Sequence, residues 1–278
     1  MKNKHLALHA LKYNPFSPEV PSEALLITPA IDHFCWRVET QLISEGGFAL
    51  VTGEPGTGKS VTLRVLAERL AGVRDVSVGV LSHASSHIAD FYREMGDVFG
   101  VTLKPHNRWG GFKALRERWV AHLDATHVRV VLIIDEAQEM PPPVLNELRL
   151  LSSDRFDSRN LLSVVLAGDA RLVTKLQREE LLPLGSRMRI RLALEHAERK
   201  TLNDCLVHLM SEAGNANLMT PELVNTLAEH AMGNYRILTA TAAELLSAAV
   251  RAEVAVLDEK LYLEHFHAPR STRRKKVS

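Results

Sequence analysis

The chain has 278 residues, of which 46% are hydrophobic and 24% charged, a balance typical of a globular protein with one or two domains. The formal net charge is +1, so any nucleic-acid partner must bind a local patch rather than a globally basic protein. The two cysteines, Cys35 and Cys205, belong to no metal-binding spacing and are expected to be buried thiols in a reducing cytosol. No apolar run approaches the ~20 residues that a membrane span needs, and the N-terminus lacks signal-peptide features. We therefore expect a cytoplasmic protein with no membrane partner.

Strands and helices are predicted to alternate as far as about residue 195. Residues 1–29 form a proline-punctuated N-terminal segment, and residues 30–44 have helical periodicity. Buried strands are predicted for five short apolar runs, which are residues 47–52, 76–82, 128–136, 161–169 and 187–194. Helical segments separate most of these runs, and this alternation is typical of a doubly wound parallel α/β sheet. The sequence therefore predicts an α/β core over residues 30–195.

The remainder of the chain is predicted to be helical. Residues 196–266 form a helical subdomain, in which Thr220 is a predicted N-cap and Pro221 fits the first helical position. Residues 267–278 are basic and lack acidic residues, so we expect a disordered tail.

A phosphate-binding loop is predicted between the first core strand and the helix that follows it. Residues 53–60, GEPGTGKS, match G-x-x-x-x-G-K-[ST]. Glycines let successive backbone N–H groups point at an anion, and the positive end of the next helix faces the same anion. Lys59 is expected to reach the β- and γ-phosphates of ATP, and the Ser60 hydroxyl to bind Mg²⁺. The predicted nucleotide contacts are Gly53, Glu54, Pro55, Gly56, Thr57, Gly58, Lys59, Ser60 and Val61.

Two acidic residues follow the most apolar predicted strand, in the string VVLIIDEAQ. The carboxyl edge of an α/β sheet is where such folds bind ligands, so these carboxylates are predicted to lie near the phosphate loop. Asp135 is expected to hold Mg²⁺, directly or through water. Glu136 is the predicted general base for the attacking water, and the Asp-Glu pair favours hydrolysis over nucleotide binding alone.

The order of these motifs resembles that of the AAA+ ATPases, and more narrowly of their ExeA/TniB/TnsC-like group. The strings that carry the resemblance are NPF (14–16), GFALVTGEPGTGKS (47–60), LIIDEAQEM (132–140), ELRLLSS (147–153) and VVLAGDARL (164–172). The resemblance spans about residues 13–250. It implies a P-loop NTPase core with a C-terminal helical lid, ATP and Mg²⁺ as cofactors, and a homo-oligomer that is either a ring or a helical filament.

The resemblance also implies roles for residues outside the two central motifs. An N-terminal segment that includes Asn14 and Phe16 would close the adenine pocket, although a proline turn that packs Phe16 into the core is an equal alternative. Asp169 takes the place of the sensor residue at the end of a core strand. An acidic group there would repel a γ-phosphate, and Asp169 fits equally well as the cap of the next helix.

Two arginines are implied as contacts for the γ-phosphate. Arg187 lies just before the last core strand, where family members present an arginine finger to a neighbouring subunit. Arg189 and Arg191 share its polar face and are alternatives, as is a merely solvated strand edge. In the lid, GNYRIL resembles the second sensor motif, which makes Arg236 a further candidate.

The resemblance covers proteins with different cellular tasks. Transposition regulators, with a MuB-like role, assemble on target DNA with ATP and recruit or activate a transposase. Secretion-associated members usually carry a membrane segment and an envelope domain after the ATPase, whereas this chain ends soon after its lid. We therefore expect a transposition regulator with duplex DNA, a transposase and a target-selecting protein as partners. The alternatives are an ExeA-like secretion motor and an ATP-switched adaptor of the helicase-loader type.

The most basic stretch of the core lies at residues 103–119, LKPHNRWGGFKALRERW. Candidate DNA contacts there are Lys104, Arg108, Lys113, Arg116 and Arg118, interleaved with two tryptophans. Lys113 and Arg116 are three residues apart and would share a helix face. The alternative is a solvated helix face whose tryptophans pack in the core.

Overall fold

The computed structural model describes residues 6, 8–81, 83–84, 87–103, 107–155 and 158–266. Within these residues the chain forms two compact units, one made of Ile27–Glu195 and the other of the residues before and after it. Lys104 and the basic tail at 267–278, two elements of the predictions above, lie outside the described residues.

The first unit is built on a parallel sheet. Its strands are β1 (Gly47–Gly53), β2 (Val78–Leu81), β3 (Val130–Ile134), β6 (Leu162–Gly168) and β7 (Met188–Leu194). They lie in the order β2–β3–β6–β1–β7, and every neighbouring pair is parallel. A separate antiparallel hairpin pairs β4 (Ser153–Asp154) with β5 (Arg159–Asn160). The predicted α/β P-loop NTPase sheet is confirmed, and β6 lies between the strands that carry the two central motifs.

Helices accompany the sheet strands of this unit. They are α1 (Pro29–Arg37), α2 (Lys59–Ala71), α3 (Ile88–Phe99), α4 (Arg108–Thr126), α5 (Pro142–Ser152), α6 (Ala170–Leu176) and α7 (Leu182–Gly185). After α1 the chain continues as a π-helical turn at Val38–Leu42 and a short helix at Ile43–Glu45. All five residues of β3 are buried, as its unbroken aliphatic sequence predicts for a strand covered on both faces. Val130, Leu132 and Ile134 pack with Phe91 and Trp119 in one buried hydrophobic cluster of this unit.

Helix α4 begins at Arg108, which is earlier than the glycine pair at positions 110 and 111 suggests. Asn107 caps the helix, since its side chain accepts a hydrogen bond of 2.8 Å from the backbone of Gly110. A β-carbon on Gly111 would lie 2.9 Å from the ring of Tyr92 on α3. The glycine is therefore placed by the close approach of two helices rather than by a helix end.

The second unit is helical and contains α8 (Arg199–Glu212), α9 (Pro221–Ala231), α10 (Tyr235–Ala252) and α11 (Glu259–Phe266). Thr220 caps α9 by accepting a hydrogen bond from the backbone of Leu223, and Pro221 takes the first helical position. Leu11 and Phe16 from the N-terminal segment are buried in the core of this unit. No helix among the described residues is long and apolar enough to cross a membrane.

Candidate nucleotide-binding site

The phosphate loop lies between the end of β1 and the start of α2. Gly56 and Gly58 have φ values of 85° and 104°, in the region that glycine adopts most easily. A β-carbon on Gly53 would lie 2.5 Å from the Thr57 hydroxyl and 2.6 Å from a backbone carbonyl. The three glycines of the motif therefore occupy positions where the local backbone leaves little choice of residue.

Lys59 folds its side chain back over the loop. The residue is 7% exposed, and its Nζ donates hydrogen bonds of 2.8 Å and 3.2 Å to the carbonyl oxygens of Gly53 and Glu54. The Thr57 hydroxyl donates to the same Glu54 carbonyl at 2.8 Å and closes the loop. Both acceptors of Lys59 are neutral, so these contacts leave the charge of the ammonium group available to an anion.

Ser60 joins the phosphate loop to the end of β3. Its hydroxyl donates a 2.7 Å hydrogen bond to Oδ2 of Asp135. Two oxygen ligands side by side fit Mg²⁺, which usually takes the rest of its shell from substrate phosphates and water. Among the described residues, no group of three or more His, Cys, Asp or Glu side chains could hold a metal ion by itself. The donor set therefore fits a cation that arrives with a phosphate ligand.

Glu136 turns the chain sharply after β3. It has φ 51° and ψ 36°, a left-handed conformation that is uncommon for a residue other than glycine. Its backbone N–H donates to Oδ1 of Asp135 at 2.8 Å, and its carboxylate accepts a hydrogen bond from the amide of Gln138. The two neighbouring carboxylates thus have different partners, Ser60 for Asp135 and Gln138 for Glu136.

Gln138 and Lys175 support this turn, and the sequence analysis identified neither residue. Gln138 is 4% exposed, and its Oε1 accepts a 3.3 Å hydrogen bond from the backbone N–H of Asp169 at the end of β6. Lys175 on α6 donates to the carbonyl oxygens of Gln138 and Met140, the latter at 2.9 Å. Burial lowers the pKa of Lys175. A polar residue two positions after Glu136 gives no sequence signal that separates such a role from an exposed turn.

Asp169 acts as the N-cap of α6. Its Oδ1 accepts a 2.8 Å hydrogen bond from the backbone of Arg171, and its Oδ2 accepts one of 2.9 Å from the Arg171 guanidinium. Burial alone would raise the pKa of Asp169, but the hydrogen bonds from Arg171 outweigh it and lower the pKa, with a further contribution from the charge of Lys59. This geometry matches the alternative in which Asp169 caps the helix that follows β6. A sensor role for Asp169 stays a prediction.

The three arginines near β7 have different surroundings. Met188, Ile190 and Leu192 are buried, while Arg189 and Arg191 are exposed, which confirms the predicted alternation. Arg187 is half-buried, and its guanidinium donates to the Pro183 carbonyl. Arg189 pairs with Glu45 at 2.8 Å, and Arg191 donates to the backbone carbonyls of Met188 and Gly185. Because β7 is an edge strand, these side chains lie at the border of the sheet.

Three predicted nucleotide contacts belong to the helical unit. Arg236 is exposed in the first turn of α10, where its backbone N–H donates to the capping side chain of Asn234 at 3.0 Å. The Asn14 side chain accepts a 3.0 Å hydrogen bond from the backbone of Phe16. The Phe16 ring is 4% exposed and packs in the core of the unit, as the packing alternative expects.

The candidate DNA-contacting residues differ in their exposure and in their ion-pair partners. Arg108 pairs with the buried Glu147, with a 3.0 Å contact from Nε, and Tyr92 donates its hydroxyl proton to the same carboxylate. Burial raises the pKa of Tyr92 and keeps it a neutral donor. Arg116 is largely covered and pairs with Asp154 at 2.7 Å. Both arginines therefore bind acidic groups of their own chain, and a DNA contact by either of them stays a prediction.

The remaining side chains of this stretch divide between surface and core. Lys113 and Arg118 are exposed, and Lys113 lies 3.7 Å from Glu117. Trp109 is 74% exposed and stacks on Phe112, whereas Trp119 is 1% exposed in the core. Lys113 and Arg118 thus remain candidates for contact with a phosphate backbone.

Comparison with known proteins agrees with this geometry. Residues 41–176 match the family model described as an AAA domain. The matched residues run from before β1 to the end of α6 and include the phosphate loop, Asp135 and Glu136. General secretion pathway protein A of Aeromonas hydrophila is 32% identical over 187 residues, which are 66% of this chain and 33% of that protein. The chain thus spans about a third of the length of this curated relative.

Solved structures share the fold. The Cdc6p protein of Pyrobaculum aerophilum superposes with a TM-score of 0.69 at 17% identity, over 87% of this chain and 67% of that one. The Orc1 protein of Aeropyrum pernix, solved in complex with DNA, has a TM-score of 0.68 at 18% identity, over 91% of this chain and 68% of that one. At such identities the likeness concerns the fold: a parallel-sheet P-loop NTPase with a helical C-terminal part.

The capping role of Asp169 can be separated from a sensor role by two variants. Asp169→Ala removes the cap of α6, so we expect the free energy of unfolding to fall by about 1 kcal/mol, while Asp169→Asn keeps a capping oxygen and most of the stability. Urea unfolding measures both. Equal stability of Asp169→Ala and wild type would contradict the capping role, and a loss of ATP turnover in the stable Asp169→Asn variant would support the sensor role.

Proposed function

We propose that this protein is a Mg²⁺-dependent ATPase that hydrolyses ATP to ADP and phosphate when copies of the chain assemble. The observation that carries the proposal is the 2.7 Å contact between Ser60 and Asp135, beside the buried Lys59 and the carboxylate of Glu136. A cation for the phosphates, two Mg²⁺ ligands and a base thus follow the ends of β1 and β3, the two strands that flank β6.

Each residue of this set has a separate task in hydrolysis. Lys59 and the backbone N–H groups of the loop bind the phosphate oxygens and hold the γ-phosphorus in place. Ser60 and Asp135 hold Mg²⁺, which neutralises phosphate charge when bound. Glu136 orients a water molecule and accepts its proton as the water oxygen bonds to the γ-phosphorus and the bond to the ADP oxygen breaks. Asp169 is proposed as a sensor beside the same phosphate.

Assembly enters through arginines that the phosphate loop does not contain. Arg187 is proposed to reach the γ-phosphate of a neighbouring copy from the edge of the sheet, where its guanidinium donates to the backbone carbonyl of Pro183. Arg236 is proposed as the lid contact in its own chain, supported by its exposed place at the start of α10. Asn14 is proposed to help close the adenine pocket.

The task of the ATPase is proposed to be regulation of DNA transposition, in which the oligomer assembles on duplex DNA and recruits or activates a transposase, with a target-selecting protein as a further partner. The resemblance to the TniB/TnsC-like members supports this proposal, and so do the exposed Lys113 and Arg118. A second candidate is a secretion-associated ATPase, which is favoured by the identity with general secretion pathway protein A. We propose a cytoplasmic location for the first candidate.

The core of the proposal is tested by two substitutions in the site. Lys59→Ala should weaken ATP binding by about two orders of magnitude, because it removes a charged hydrogen-bond donor to phosphate. Glu136→Gln should retain ATP binding and lower kcat by about 10²–10⁴-fold, because the amide cannot accept the proton of water. Nucleotide titration and steady-state phosphate release measure these effects. Glu139→Gln, an exposed neighbour on the same turn, is the control for Glu136→Gln, and full turnover in Glu136→Gln would refute the assignment of the base.

The contribution of Arg187 from a neighbouring copy is tested by mixing two inactive proteins. Arg187→Ala lacks the proposed finger and Glu136→Gln lacks the base, so each alone should turn over ATP slowly. For Arg187→Ala we expect the turnover rate to fall about 10³-fold or more below that of wild type. A mixture should regain activity, since an intact base in one copy meets an intact arginine from the other. A mixture that stays as slow as its components would contradict the trans assignment, and Arg189→Ala is the matched control on the same strand.

The partner is tested by adding linear duplex DNA to one sample and vesicles of phosphatidylethanolamine and phosphatidylglycerol to another. Under the transposition proposal, DNA promotes assembly seen by electron microscopy, raises turnover, and loses its effect steeply with salt. The slope of log DNA affinity against log salt concentration should become shallower in the Lys113→Ala and Arg118→Ala double variant, by about one for each phosphate contact that is lost. Lys200→Ala, a change at another exposed lysine, should leave this slope unchanged. Stimulation by vesicles without any response to DNA would favour the secretion-associated candidate.

A further inference from the structure

The amide of Gln138 joins two parts of the candidate site. Its oxygen faces the backbone N–H of Asp169 at the end of β6, at 3.3 Å, and its nitrogen faces the carboxylate of Glu136. The orientation is fixed by chemistry, because a backbone N–H can only donate a hydrogen bond and an ionised carboxylate can only accept one. The side chain is 4% exposed, so water cannot easily replace either contact.

Local sequence is arranged so that the amide can reach this place. The left-handed backbone of Glu136 starts a 3₁₀ turn over Ala137–Glu139, and this turn directs Gln138 towards β6. A β-carbon on Gly168 would lie 2.5 Å from Oε1 of Gln138, so only glycine leaves room for the amide against the end of the strand. Gly168 is therefore required by the contact between Gln138 and the backbone of Asp169, as well as being the last residue of β6.

The turn itself is held from α6. Lys175 donates to the carbonyl oxygens of Gln138 and Met140, and Arg171 bridges Asp169 at 2.8 Å and Glu139 at 2.9 Å. The backbone of Gln138 is thus fixed independently of its side chain. Loss of the amide alone would release the Glu136 carboxylate while the turn keeps its position. A substitution of the Gln138 side chain can therefore test the amide contact without disturbing the fold of the turn.

We propose that Gln138 is a positioning residue for ATP hydrolysis. Its amide is anchored to the backbone N–H of Asp169 at the end of β6 and holds the carboxylate of Glu136 in one orientation. This inference rests on the proposed function. The Glu136 side chain carries its carboxylate on several rotatable bonds and so has several accessible rotamers, whereas a general base works only within hydrogen-bond reach of the water it activates. By donating to one carboxylate oxygen, Gln138 leaves the other oxygen free to accept from water.

The test is Gln138→Met, which keeps the length and much of the volume of the side chain and removes both hydrogen bonds. We expect kcat for ATP to fall about tenfold or more, because the base is no longer held in place, with KM for ATP within about twofold of wild type. The ATP-bound assembly should also persist longer, because ATP is hydrolysed more slowly. Gln177→Met, the same substitution at an exposed position after α6, should leave kcat unchanged.

A second variant keeps the inference falsifiable if Gln138→Met does not fold. Gln138→Glu retains the acceptor for the Asp169 N–H but cannot donate to Glu136, so kcat should fall again with KM retained. A kcat within twofold of wild type, or above it, in a folded variant would overturn the positioning role. If wild type shows no turnover that Glu136→Gln abolishes, the proposed function itself fails; if that turnover exists and Gln138→Met keeps it, only this inference fails.

Discussion

The position of β6 between β3 and β1 is the constraint on which the candidate site depends. In a parallel sheet the carboxyl ends of neighbouring strands meet at one edge, so the chain after β1, β3 and β6 is brought together however far apart these segments are in sequence. The contact between Ser60 and Asp135 spans 75 residues of sequence and the contact between Gln138 and Asp169 spans 31. Burial of three largely apolar strands thus provides the framework that aligns the polar groups at their ends.

Much of this framework could be predicted from the sequence because its signals are local. Unbroken aliphatic runs such as residues 130–134 indicate buried strands, and the Gly-Lys-Ser pattern demands one backbone shape. The hairpin of β4 and β5 and the short helix α7 carry no comparable periodicity, and they were not predicted; the helix α6 was indicated only by Asp169 as a possible cap. Gly111 in α4 is another such case, since its place is decided by the close approach of Tyr92 from another helix. Local patterns do not contain such tertiary contacts.

The side-chain partners of the candidate residues could be predicted less well than the residues themselves. A basic stretch at 103–119 indicated a shared cationic face, but the buried carboxylate of Glu147 draws in Arg108, and Asp154 draws in Arg116. A buried carboxylate needs hydrogen-bonded partners, and that demand outweighs the tendency of arginine to stay solvated. Gln138 illustrates the opposite case, in which an ordinary polar residue gains a role from a neighbour that only the fold supplies.

The charges at this edge of the sheet explain why the site calls for a further cation. Lys59 faces neutral carbonyl groups, while Asp135 and Glu136 bring negative charge to the same edge. Asp169 adds little net charge, because Arg171 binds both of its oxygens. A triphosphate adds more negative charge than Lys59 and one divalent cation neutralise, and the charge that builds up in the transition state is spread over the γ-phosphate oxygens. Under the proposed function, arginines supplied from the sheet edge of a neighbouring copy would meet that demand, and hydrolysis would then be tied to assembly through electrostatics rather than through a change in the phosphate loop.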